Sequence, residues 1–84
     1  MIDAKQAVQI AKQKAVEMLN QSPINLEELE RETYKGRDVW SITLSFQREP
    51  SIFPLGEPRE YKRFLIDAET GELVAMKIRE VASQ

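Results

Sequence analysis

The chain changes its hydrophobic period once, at Pro23. Before that point apolar residues recur at helical spacing; after it almost every apolar run alternates with period two. A lone amphipathic helix followed only by strands must bury its stripe against one face of a sheet.

Residues 3–20 read as that helix. Asp3 is a good N-cap, and Gln6 three positions later completes a capping-box pattern. At about 100° per residue, Ala4, Ala7, Val8, Ala11, Ala15, Met18 and Leu19 fall on one broad face. Lys5, Gln6, Gln9, Gln13 and Glu17 fall on the other. Alanines at the centre of the apolar face let the backbone approach what it covers, so the helix is expected to lie flat on a sheet. Asn20-Gln21-Ser22-Pro23 ends it, because the residue before proline is pushed out of the α region.

Two hairpins follow. Val39 to Gln47 is the clearest strand, with Trp40, Ile42, Leu44 and Phe46 on one side and Ser41, Thr43 and Ser45 on the other. Ile24 to Tyr34 is its expected partner across Lys35-Gly36, although its glutamate-rich composition also suits a helix. A two-residue loop pairs Thr33 with Asp38, Arg31 with Trp40 and Leu29 with Ile42. A slip by one residue would instead turn Glu28 and Glu30 toward the apolar side. Tyr61 to Asp67 and Glu72 to Val81 form the second hairpin, where Asp67 opens the turn and Gly71 supplies a positive φ. Arg48 to Glu60 connects the hairpins and holds Pro50, Pro54 and Pro58, so it is no regular strand throughout. The expected fold is α+β: one N-terminal helix packed on an antiparallel sheet of about four strands, ordered α-β-β-β-β, in a single domain over 1–84.

Composition removes several chemistries. Among 84 residues there is no Cys and no His, hence no disulfide, thiolate nucleophile, thiolate zinc site or imidazole base, and no cofactor is implied. Twelve Lys+Arg against 14 Asp+Glu give a charge of -2, which argues against a nucleic-acid partner. No apolar run approaches the roughly 18 residues that span a bilayer, so no membrane partner is expected. Met1 to Lys5 shows no signal-peptide pattern, and the expected location is the cytoplasm.

The motifs resemble a known family. A helix with recurring alanines precedes Glu28-Leu29-Glu30-Arg31-Glu32-Thr33-Tyr34-Lys35-Gly36-Arg37-Asp38-Val39-Trp40-Ser41-Ile42, then Phe64-Leu65-Ile66-Asp67-Ala68-Glu69-Thr70-Gly71-Glu72-Leu73-Val74. This is similar to PepSY and PepSY-like domains over nearly the whole chain. The resemblance implies a helix on an antiparallel sheet, no enzymatic activity, and a regulatory or protease-inhibitory binding role. A second resemblance, to cystatin-like or nuclear-transport-factor-like small domains including bacterial immunity proteins, shares the closing hairpin.

Candidate sites follow from the pattern. Glu27, Glu28, Glu30 and Glu32 invite a metal or acid–base reading, but a solvated outer face that discourages edge pairing explains them better. The bases Arg48, Arg59, Lys62 and Arg63 are interleaved with Glu49, Glu57 and Glu60, so they form no basic footprint. Trp40 continues the stripe of Ile42, Leu44 and Phe46 and reads as core. The proline segment carries Ile52, Phe53 and Leu55, stiffened by its prolines. These three, with Arg59, are the candidate partner-binding residues; the competing reading folds them back as a plug on the core. Tyr61 to Val81 is apolar on both faces, yet one helix covers one face. A protein partner or self-association, for example as a homodimer, would supply the second cover. No nucleophile–base pair, phosphate loop or metal signature accompanies these residues, so a binding or regulatory module ranks first, an assembly or immunity-type domain second, and an enzyme last.

Overall fold

The computed structural model describes residues 1–23, 25–47 and 59–79. Helix α1 spans Ala4–Leu19. Strands β1 (Asn25–Tyr34), β2 (Arg37–Gln47), β3 (Arg59–Asp67) and β4 (Leu73–Arg79) form one antiparallel sheet in the order β1-β2-β3-β4. The fold is the expected α-β-β-β-β arrangement.

The helix ends where local chemistry ends it. Asp3 accepts from the Gln6 N–H at 2.8 Å, and the Gln6 side chain accepts from the Asp3 N–H at 3.0 Å, which closes the capping box. At the other end Asn20 adopts φ 55°, a left-handed conformation that asparagine tolerates, and its N–H donates to Val16 O. Ala7, Ala11 and Ala15 are fully buried, and all five residues expected on the solvent side are exposed. The alanine stripe settles on Ile42, Leu44, Phe46, Phe64 and Ile66, the inward residues of the two central strands. Phe46 and Phe64 pack with ring centroids 6.5 Å apart and planes tilted by 45°, a favourable aromatic geometry.

The first hairpin has the register its loop dictates. Thr33 pairs with Asp38, Arg31 with Trp40 and Leu29 with Ile42. Lys35 and Gly36 both have positive φ, 51° and 81°, as a two-residue turn matched to strand twist requires. β1 starts at Asn25, and a bulge between Leu26 and Glu28 returns Leu26 to the helix side opposite Leu44. β3 begins at Arg59, so the strand takes in Arg59 and Glu60, which sequence reading had assigned to the connection.

The second hairpin departs from strict alternation. A shift between Leu65 and Ile66 pairs Leu65 with Ala75 but Ile66 with Leu73, leaving Val74 as the extra residue. Leu73 and Met76 therefore both pack on the helix-side core, although plain alternation places them on opposite faces.

Candidate interaction surface

Each face of the sheet carries different chemistry. Trp40 lies half-buried at the rim of the helix face, where its indole N–H donates to Ile2 O at 3.3 Å and the Arg31 guanidinium sits 5.0 Å from its ring centroid. It is thus a core-rim residue, with the cross-strand partner the register predicts. On the back face Ser41, Thr43, Ser45 and Leu65 are also buried. Long side chains cross this face: Arg63 of β3 reaches Glu32 of β1 at 3.5 Å, spanning β2. Lys77 of β4 stands 4.9 Å from the ring centroid of Tyr34 in β1. Three inter-strand spacings separate those strands, about 14 Å in a flat sheet. Such a contact requires the sheet to coil about its back face, and the small residues of β2 leave room for it. The need for an outside cover on this face, argued from one helix alone, is therefore weaker than the alternation of the second hairpin implies.

The Asp67–Glu72 turn gathers a polar cluster. Asp67 Oδ1 accepts from the N–H groups of Glu69 at 2.7 Å and Thr70 at 3.0 Å, and Arg37 meets its Oδ2 at 2.8 Å. The Thr70 N–H, then the Glu69 N–H, hold the Asp67 carboxyl below its ordinary value; burial works against them and Arg37 adds to them. Gly71 sits at φ 80°, and its N–H donates to Asp67 O. The turn also ties down its surroundings, since the Ala68 N–H donates to Asp38 O and the Ile2 N–H to Ala68 O. Beside it Gly36, Arg37, Asp38, Asp67, Glu69 and Thr70 line a polar hollow of about 420 Å³. Its most buried carboxylate is already saturated by two amides and a guanidinium, so the Asp67-Ala68-Glu69-Thr70-Gly71-Glu72 motif is a structural lock between helix start, β2 and β3.

Glu28, Glu30 and Glu32 do form a stripe, opposite Thr43, Ser41 and Val39 on the back face of β1. Among the described residues no group of three or more carboxylates is placed to hold a metal ion. Arg59 is the first residue of β3, opposite Gln47. Ile52, Phe53 and Leu55 lie outside the described residues, as does Ile24. What sequence reading missed is on the helix side of β1. Leu29 faces the helix side as expected, yet it remains 38% exposed and Leu26 42%, because α1 sits over β2 and β3. Only the order of the strands in space identifies β1 as an edge, which pattern along the chain does not encode.

A family model described as "Peptidase propeptide and YPEB domain", PepSY, matches residues 1–77. The chain belongs to the PepSY family. No curated protein and no solved structure matches it significantly. PepSY domains are propeptide and regulatory modules that act through protein interactions, and the match covers the helix and almost all of the sheet. No helix among the described residues is long and apolar enough to cross a membrane.

Proposed function

We propose that this PepSY domain is a non-catalytic binding module that restrains or regulates a protein partner, with a peptidase as the first class to test. The family match over residues 1–77 carries this reading. The locked Asp67 cluster supports it, since it spends its polar groups on holding the fold. The proline segment with Ile52, Phe53 and Leu55, together with Arg59, stays the candidate contact region from sequence.

The test is capture of partners by the immobilised full chain from its native source, followed by titration of each purified partner with the purified domain. A saturable complex is expected, with loss of activity where the partner is a peptidase. Phe53→Ala separates the two readings of the proline segment. Unchanged melting with lost association places Phe53 in the interface; a stability loss of several kcal/mol places it in the core. Light scattering at high concentration that finds only self-association, with no partner captured, would overturn the proposal in favour of an assembly domain.

A further inference from the structure

We propose that the outer edge of β1 is a docking strand for an extended segment of a partner protein, basic on one face and apolar on the other. The inference rests on the binding-module reading above and specifies the chemistry of the partner. β1 is ten residues long and, among the described residues, pairs only with β2, so its outer ladder of N–H and C=O groups meets no described strand. Such an edge is a template for strand addition. Its back face carries Glu30 between Glu28, which accepts from Thr43 Oγ1 at 3.5 Å, and Glu32, which meets Arg63, and its helix face presents the exposed Leu26 and Leu29.

Charge selects the occupant. When two identical β1 edges pair antiparallel, back-face residues oppose back-face residues. Registers that overlap the stripe then set at least one glutamate against another, which is destabilising. A second copy is thus a poor fit, while alternating lysines or arginines meet opposite charge at each position. The apolar residues of the same segment fall on the other face and cover Leu26 and Leu29, which the helix leaves open. The opposite edge does not offer this match, because β4 carries the exposed cation Lys77 on its back face.

A fluorescently labelled ten-residue peptide alternating lysine and valine tests the proposal by anisotropy against the full chain. Binding that weakens with salt is expected, with hydrogen-exchange protection appearing at amides of residues 25–34. A peptide of the same composition with its lysines and valines in two blocks should bind at least tenfold more weakly. Glu30→Lys should weaken the alternating peptide at least tenfold with melting unchanged, and Leu29→Ser several-fold. Equal binding of the two peptides, no effect of Glu30→Lys, or protection at β4 instead of β1 overturns the proposal. So does self-association that Glu30→Lys abolishes, which assigns the edge to a second copy. If the peptide fails while the domain still binds its captured protein partner, the edge proposal falls and the binding-module reading stands.

Discussion

On the helix face of the sheet, Ile42, Leu44, Phe46, Phe64 and Ile66 meet three alanines of α1. On the back face, Ser41, Thr43 and Ser45 are buried as well, and Arg63–Glu32 and Lys77–Tyr34 contacts reach across the sheet. Burial is equally complete at the centre of both, but its physical basis differs. The first face excludes water by close packing of apolar groups, worth roughly 25 cal/mol per Å² removed from water. The second is covered by half-exposed charged and aromatic side chains, whose pairwise interactions are each worth about 1 kcal/mol or less. Stability should therefore reside on the helix face, leaving the back face and the β1 edge free to change with little cost to folding.

Truncation in the core is the severest test of that difference. Phe64→Ala removes a fully buried ring that packs on Phe46, and a loss of about 3–5 kcal/mol is expected in denaturant titrations. Ala11→Leu attacks the same face from the helix. Ala11 has no exposed surface, so the larger side chain must push α1 off the sheet, at about 1–3 kcal/mol. A domain that tolerates either change within a few tenths of a kcal/mol would show that the helix face is not where its stability lies.

The two turns that end the hairpins sharpen the contrast further. Gly36 and Gly71 both have positive φ, so alanine is strained at either, by about 1–2 kcal/mol. A Cβ at Gly36 meets nothing, whereas at Gly71 it comes within 3.1 Å of Ile10 Cδ1. Gly71→Ala should be the more damaging by about 0.5–1.5 kcal/mol, the cost of forcing Ile10 off its rotamer. On a domain of this size the gap would appear as several degrees in melting temperature. Equal melting temperatures would mean that the helix is held loosely at its first turns.

Most of the helix face was legible from residues alone. Asp3 and Gln6 marked the capping box, the alanine spacing marked the buried stripe, and Lys35-Gly36 set a register in which Leu29 meets Ile42. These are local signals, each completed within a few residues. The shift at Leu65 and Ile66 was not legible, because no residue type announces a bulge that moves Leu73 to the core side. Nor was the cover of the back face, which depends on Tyr34 and Lys77 meeting across the sheet although they are distant in sequence. The candidate surface was legible only as composition. Glu28, Glu30 and Glu32 were visible as a stripe, but their place beside two open leucines on an edge comes from strand order.

Acid should probe the turn lock. The Asp67 carboxyl is held below its ordinary value of 3.8 in the folded chain. A group whose pKa is depressed by folding stabilises the fold above the unfolded value and loses that contribution as pH falls through the folded one. Stability of the wild type should thus decline below about pH 4. Asp67→Asn should start lower and decline less steeply over the same range. Parallel curves for the two proteins would remove Asp67 as a contributor to acid sensitivity.

The smallest expected effect lies on the back face and bears most directly on the comparison. Arg63 and Glu32 are each about one-third exposed, at 37% and 31%, and their closest approach is 3.5 Å. A double-mutant cycle with Arg63→Met and Glu32→Gln should give a coupling of only about 0.2–1 kcal/mol, falling with added salt. Methionine keeps most of the apolar stem, so the cycle isolates the charge from the cover. A coupling above about 2 kcal/mol would place this pair among buried ion pairs. The back face would then be a second stabilising core, and Glu32 would be committed to folding rather than to a partner.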